Sequence, residues 1–140
     1  MTKRFTTELT VQWGDVDLAG VVYYPHFFRY FSIAETEFYR SLGPTMLEIE
    51  DSQGIRLPRV DAGCQFLNPA HFGDILNISL EIEKIGSKTI KYLFEVWREK
   101  DAIAKGHVII ASVSQEHFKS VPLPKGLLEI LEPYTPKQGA

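Results

Sequence analysis

The segment covering residues 25–42 constrains the fold of this chain more than any other stretch. Its apolar stripe recurs every three or four positions, at Phe27, Phe31, Ala34, Phe38 and Leu42. Further apolar side chains flank the stripe, and the remaining polar face is narrow: Arg29, Ser32, Thr36 and Arg40. A helix that is apolar around most of its circumference must be enclosed by other elements. Pro25 suits the first helical position, and Gly43-Pro44 ends the helix.

The rest of the chain alternates with a period of two, which is typical of half-buried strands. Residues 5–13 predict a first strand with Phe5, Thr7, Leu9, Val11 and Trp13 on one face. After Gly54, about four antiparallel strands follow, and the inner face of their first member is predicted to carry Val60, Ala62, Cys64 and Phe66. Gly86-Ser87 predicts a two-residue hairpin turn, and residues 99–101 predict a slightly longer one. Shorter helices are expected at residues 45–51 and 127–131.

This order of elements predicts one α+β domain over residues 1–140, with its core at about residues 5–120. A curled antiparallel sheet wrapped around one long central helix satisfies the order economically. The net charge of −3 argues against a nucleic-acid partner. No apolar run approaches the roughly 18 residues of a membrane span, and the polar N-terminus is no signal peptide. Cys64 is the single cysteine, so we expect no disulfide framework and a cytoplasmic location.

Residues 13–25 read WGDVDLAGVVYYP and place two acids, Asp15 and Asp17, just ahead of the predicted helix. Tyr24, the expected N-cap, has no short side-chain oxygen to bind the first backbone N–H groups. Those donors carry the positive end of the helix dipole and would stabilise an oxyanion. A nearby acid would then attack a carbonyl carbon or activate a water. Asp residues in such loops also make local turn bonds, and the residues alone leave both interpretations open.

The stretch GDVDLAGVVYYPHFFRYF, followed by IAETEFYRSLG, resembles the 4-hydroxybenzoyl-CoA thioesterase family and its relatives, the Tol–Pal-associated acyl-CoA thioesterases. The later segment NPAHFGDILNISLEIEKIGSKTIKYLFEVWR resembles the second signature of that family. The resemblance spans about residues 5–120 and implies the hotdog fold, a five-stranded antiparallel sheet wrapped on a long helix. It also implies homodimers or homotetramers. Features of two subfamilies are mixed in the motif, so the acyl group stays open.

Carried over residue by residue, the resemblance implies that Asp17 is the catalytic carboxylate, as nucleophile or as general base. It implies that the N–H of Tyr24 polarises the thioester carbonyl and that Asp15 structures the loop. The expected substrate-binding residues are Gly20, Val21, His26, Phe27 and Phe31. His26 would alternatively be structural, or would serve a hydratase or dehydratase on the same fold.

Basic residues near the pocket mouth are expected to bind the phosphates of CoA. The candidates are Arg59, Lys84, Ser87, Lys88 and Lys91, which are equally typical of solvated turns. The scattered histidines lack the spacing of a metal pair, so no metal is predicted. No cofactor is expected either, because a thioester is already activated. The predicted function is hydrolysis of an acyl-CoA or aroyl-CoA; the alternatives are a hotdog hydratase or dehydratase, or a non-catalytic acyl-CoA or lipid-binding dimer.

Overall fold

The computed structural model describes residues 3–137 and has an α+β architecture. Its strands are β1 Arg4–Thr10, β2 Ile55–Arg56, β3 Arg59–Phe66, β4 Ile75–Ile85, β5 Thr89–Arg98, β6 Asp101–Ala111 and β7 Val113–Ser114. Five of them form one antiparallel sheet in the order β1-β4-β5-β6-β3, while β2 and β7 pair separately. The predicted class and the five antiparallel strands are confirmed. The predicted domain limits, residues 1 and 140, lie outside the described residues.

Three helices accompany the sheet: α1 His26–Leu42, α2 Met46–Gln53 and α3 Lys125–Leu131. Helix α1 has 17 residues and stops at Gly43, whose φ of 119° is outside the helical range. Helix α2 starts from a capping box, in which the Thr45 hydroxyl accepts the N–H of Glu48 at 3.2 Å. Within residues 3–137, no helix is both long and apolar enough to cross a membrane.

Helix α1 packs against β1 and β4 through a buried side of seven residues, Phe27, Tyr30, Phe31, Ala34, Glu35, Phe38 and Tyr39. The ring of Phe31 stacks on Phe94 of β5, with 4.6 Å between centroids and an interplanar angle of 11°. Gly106 of β6 makes room for the same ring, since a Cβ there would lie 2.5 Å from Phe31 Cε2. Side chains of α1 therefore fill much of the core between the helix and the sheet. The flanking residues Phe28 and Ile33 are only half-buried.

The two predicted hairpin turns have their lengths reversed. Residues 86–88 connect β4 to β5, whereas only Glu99 and Lys100 connect β5 to β6. The shorter turn is possible because Glu99 adopts a left-handed backbone conformation with φ of 51°. The usual sequence sign of such a turn is Asn or Gly, and neither is present at this position.

Two predicted inner faces are partly wrong. Trp13 is 79% exposed, because β1 ends at Thr10 and Trp13 opens a short 3₁₀ turn. Val60 and Phe66 of β3 are 58% and 51% exposed, and Ala62 between them is exposed too. The reason is that β3 is the edge strand farthest from β1 and β4, the strands on which α1 packs. Cys64 of the same strand packs against the core, and burial raises its pKa to about 11. This supports an unreactive thiol.

Candidate active site

The loop between β1 and α1 folds back on itself through backbone hydrogen bonds. The Asp17 N–H donates to the Val21 carbonyl at 2.9 Å, and the Gly20 N–H donates to the Asp17 carbonyl at 2.9 Å. Val16 and Val22 form a β-bridge below this turn. Gly20 has φ of 82°, a conformation that residues with a Cβ rarely adopt. Gly20 therefore shapes the turn that presents Asp17.

Asp15 is buried and fully engaged inside the loop. Its Oδ2 accepts the Gln12 N–H and the Tyr30 hydroxyl, both at 2.9 Å, and its Oδ1 pairs with Arg29. Burial by itself would raise the pKa of Asp15, but these hydrogen bonds and the charge of Arg29 hold it below the usual value. Asp15 is thus an ionised anchor that joins the loop to α1, which supports the loop-structuring role expected for it.

Asp17 has the opposite environment. Its side chain is exposed, and its Oδ1 accepts the Ala19 N–H at 2.8 Å. Within residues 3–137, that is the single hydrogen bond of the carboxylate, so Oδ2 has no protein partner. An accessible carboxylate oxygen is what a nucleophile or a general base requires.

The start of α1 differs from the prediction. Pro25 is the N-cap, not the first helical residue, and the N–H groups of His26, Phe27 and Phe28 already bond to the carbonyls three residues before them, at 2.9, 3.2 and 3.1 Å. The prediction that the first backbone N–H groups of α1 lack hydrogen-bond partners is therefore wrong. Within residues 3–137, the N–H of Tyr24 has no hydrogen-bond partner. At the start of α1, the backbone N–H of Tyr24 is therefore the donor that remains available to a ligand.

Asp17 lines an open groove of about 650 Å³ at this end of the molecule. The other lining residues are mostly aromatic or apolar: Trp13, Gly14, Val16, Leu18, Tyr23 and His26. The Tyr23 ring meets the His26 ring edge to face, with 5.9 Å between centroids. His26 thus lies in the same groove as Asp17, as expected for a substrate contact. Trp13 and Tyr23 were not identified from the sequence, although the aromatic residues around the acids were a signal.

A second groove, of about 240 Å³, involves other residues of the same loop and helix start. It is lined by Val21, Val22, Tyr24, Phe27, Phe66, Leu67, Asn68, Pro69 and Ala70. The Phe66 ring contacts the rings of Tyr24 and Phe27, at centroid distances of 6.0 and 5.6 Å. Val21, Tyr24 and Phe27 therefore line this groove, whereas Asp17 and His26 line the first one. Phe31 lines neither groove because it is stacked in the core.

The proposed CoA-binding lysines lie elsewhere. Lys84, Ser87 and Lys88 surround the turn between β4 and β5, and Lys91 pairs with Glu83 at 2.9 Å. Strand β4 has 11 residues, so this turn is about 30 Å from the other end of the strand. The loop that contains Asp17 contacts that other end through a β-bridge between Val21 and His71. Within this chain, Lys84, Lys88 and Lys91 therefore do not lie near Asp17.

Arg59 already has partners within the chain. Its guanidinium pairs with Glu35 of α1 and donates to the Leu57 carbonyl at 3.2 Å. Glu35 is buried, and its Oε2 has no hydrogen-bond partner among residues 3–137. Burial raises the pKa of Glu35 to about 7 and outweighs the charge of Arg59. No group of three or more potential metal-ligating side chains was found among the described residues.

The comparisons with known proteins agree with this fold and loop. The family model described as the thioesterase-like superfamily matches residues 11–131. A protein of Aquifex aeolicus named putative esterase is 30% identical over 122 residues, covering 87% of this chain and 93% of its own. A 1,4-dihydroxy-2-naphthoyl-CoA hydrolase of Nostoc punctiforme is 32% identical over 134 residues, covering 91% and 86%.

A solved structure extends the likeness to three dimensions. The 1,4-dihydroxy-2-naphthoyl-CoA thioesterase Slr0204 from Synechocystis superposes with a TM-score of 0.84 at 26% identity, covering 92% of this chain and 96% of its own. The chain belongs to the thioesterase-like superfamily. This membership confirms the family predicted from the resemblance over about residues 5–120 and, with it, the enzyme class, thioesterase.

Proposed function

We propose that the protein hydrolyses an acyl-CoA or aroyl-CoA thioester to the free carboxylic acid and CoA. The observation that carries the proposal is the accessible carboxylate of Asp17, which lines an apolar groove beside the start of α1. The neighbouring acid, Asp15, is fully engaged by Gln12, Arg29 and Tyr30 and has no free oxygen for chemistry. The names of the relatives in Nostoc and Synechocystis support a CoA thioester as the substrate.

In the proposed reaction, Asp17 attacks the thioester carbonyl carbon or removes a proton from the water that does so. Negative charge then develops on the carbonyl oxygen, and the N–H of Tyr24 donates a hydrogen bond to it. The carbon–sulfur bond breaks and CoA leaves as a thiolate. If Asp17 attacks directly, its oxygen forms a mixed anhydride with the acyl group, and water then cleaves the anhydride to release the carboxylic acid and regenerate the Asp17 carboxylate. If Asp17 acts as general base, the oxygen of the activated water enters the acid directly. After a single turnover in H₂¹⁸O, label in the Asp17 carboxylate indicates direct attack followed by attack of water on the Asp17 carboxyl carbon, because the general-base route leaves Asp17 unlabelled.

The grooves suggest how the substrate is held. The aromatic rings of Trp13 and Tyr23 flank Asp17, and we place the acyl or aroyl group against them. The smaller groove beside Tyr24 and Phe27 suits the pantetheine arm, because its lining is mostly apolar and does not include Asp17. The position of Lys84, Ser87, Lys88 and Lys91 gives no support to phosphate binding at Asp17 of the same protomer.

We also propose that the sheet curls around α1 as in the hotdog fold and that the protein forms homodimers or homotetramers. The contacts of Phe31 with Phe94 and of α1 with β1 and β4 support the enclosure of the helix. The oligomer is supported by β3, which exposes Val60 and Phe66 and whose outer edge has no strand partner in the part of the chain that the structure describes.

A thiol-release screen over short, long and aromatic acyl-CoAs tests the proposed function. Asp17→Asn keeps the size of the side chain but removes its basicity. We expect it to lower kcat by at least about 100-fold while CoA binding and Tm stay near wild type. Asp51→Asn, which changes an exposed carboxylate in α2, is the matched control and should keep full turnover. Near-normal turnover by Asp17→Asn would show that Asp17 is not catalytic.

The same screen separates the alternatives. His26 and Asp17 line one groove, which is the observation that favours a hydratase. A hydratase changes the absorbance of an enoyl thioester without releasing thiol, whereas a thioesterase releases CoA. Tight binding of acyl-CoA with no thiol release at any chain length would instead indicate a binding protein.

A further inference from the structure

We propose that Asp74 and Arg98 are positioning residues for the loop that carries Asp17. The two residues lie at the adjoining ends of β4 and β5, and they hold residues 69–71, to which residues 21 and 22 are bonded. The inference rests on the proposed function, because it assigns these residues to the geometry of the same site. Neither residue lines the groove that contains Asp17.

The ion pair itself fixes both ends of a short segment. Arg98 Nη1 donates to Asp74 Oδ2 at 2.8 Å and to the Pro69 carbonyl at 3.0 Å. Asp74 Oδ2 also accepts the His71 N–H at 2.8 Å. Burial alone would raise the pKa of Asp74, but the His71 N–H and Arg98 hold it below the usual value, so the carboxylate is ionised at neutral pH.

Residues 69–71 bind the loop that carries Asp17 through backbone hydrogen bonds. The Val22 N–H donates to the Ala70 carbonyl at 2.8 Å, and Val21 forms an antiparallel bridge with His71. The Val21 carbonyl in turn accepts the Asp17 N–H at 2.9 Å. A continuous series of hydrogen bonds therefore runs from Arg98 through residues 69–71 to the backbone of Asp17.

Other bonds keep the segment folded when the ion pair is removed. The Gly73 N–H donates to the Val11 carbonyl at 3.0 Å, and the Val11 N–H donates to the Asp74 carbonyl at 2.9 Å. The Asn68 side chain donates to the Ala102 carbonyl at 2.7 Å. These contacts do not involve the carboxylate or the guanidinium, so neutralising Asp74 should shift residues 69–71 without unfolding the domain.

The first test compares two variants that each remove one carboxylate from Arg98. Asp74→Asn should lower kcat by about 10- to 100-fold with a smaller change in KM, because a displacement near 1 Å at the site costs up to about 100-fold in rate. Asp101→Asn is the matched control, since the Asp101 carboxylate accepts from Arg98 at 3.4 Å and, within residues 3–137, forms no hydrogen bond or ion pair with residues 69–71. It should retain the kcat of the wild type.

The second test does not depend on activity. Hydrogen exchange should become faster in residues 15–24 of Asp74→Asn, and it should stay unchanged in those residues of Asp101→Asn. In an Asp17→Asn background, adding Asp74→Asn should give no further loss of turnover, because the positioned group is already gone. Unchanged exchange in residues 15–24, or a lower Tm with normal kcat, would overturn the inference. If the wild type releases no thiol from any thioester, the proposed function fails, while the exchange result still decides this inference.

Discussion

Asp15 and Asp17 show how two residues of one type acquire different roles from their surroundings. Asp15 is buried, accepts two hydrogen bonds and forms an ion pair with Arg29. Its carboxylate therefore joins the loop to α1 and has no oxygen free for a ligand. Asp17 accepts one local hydrogen bond at the surface and keeps an oxygen for a ligand. The sequence places them two residues apart, and only the direction of each side chain separates an anchor from a candidate catalyst.

Glu35 makes a pH-dependent contribution to stability. Burial raises its pKa to about 7 in the folded protein, so the folded state holds a proton that the unfolded state, with a pKa near 4.5, has released. Stability from this group is therefore complete below pH 4.5 and is lost as the pH rises through about 7. Each pKa unit of difference is worth about 1.4 kcal/mol. Glu35→Gln should abolish this loss, measured as the free energy of unfolding in urea at pH 5 and pH 8.

Glu37→Gln is the control for that measurement, because Glu37 lies on the same helix and is only half-buried. Its stability should follow the wild-type pH profile. Parallel profiles for Glu35→Gln and wild type would show that Glu35 is ionised in the folded state throughout this range.

At the scale of elements, the approach of α1 to the sheet depends on a glycine. A Cβ at Gly106 of β6 would lie 2.5 Å from Phe31 Cε2 and 2.6 Å from the Gly63 carbonyl oxygen. Because the Gly63 carbonyl oxygen is a backbone atom, a side-chain rotation cannot relieve its clash with the added methyl group. Gly106→Ala should lower the free energy of unfolding by about 1–3 kcal/mol, measured by urea denaturation.

Gly14→Ala is the matched substitution, since a Cβ at Gly14 meets nothing within 4 Å. It should leave stability near wild type or raise it slightly, because alanine reduces the entropy of the unfolded chain. Equal stabilities of the two variants would show that the sheet adapts to the extra methyl group and that Gly106 does not limit the packing of α1.

At the scale of the whole molecule, the sequence predicts the elements better than their arrangement. The helix at residues 26–42 and the strands after Gly54 follow from strong periodicity, which is a local property. The sheet order β1-β4-β5-β6-β3 depends on contacts between residues far apart in the chain. Periodicity identified an inner face for β3, but it could not indicate that β3 is an edge strand. The exposure of Val60 and Phe66 follows from that position.

The candidate site was predictable to a similar degree. The loop motif located Asp17, Gly20 and Tyr24, because spacing along the chain is enough to recognise a motif. The motif did not indicate that backbone carbonyls already satisfy the first N–H groups of α1. Nor did it identify Phe66, which reaches the groove of Tyr24 from a position 42 residues further along the chain. Such contributions come from tertiary packing, which no local pattern encodes.

The edge strand gives the last prediction, on the assembly of the molecule. Within residues 3–137, the outer edge of β3 lacks a strand partner and carries exposed apolar side chains, which favours pairing with another chain. The proposed oligomer supplies a second copy. We expect light scattering after gel filtration to give the mass of a dimer or tetramer for the wild type. Val60→Asp places a charge at this edge and should shift the mass towards the monomer while circular dichroism stays unchanged. Leu128→Asp, an equivalent change at an exposed apolar residue of α3, should leave the mass as it is. A wild-type protein that remains monomeric at high concentration would contradict the assignment of β3 as the interface.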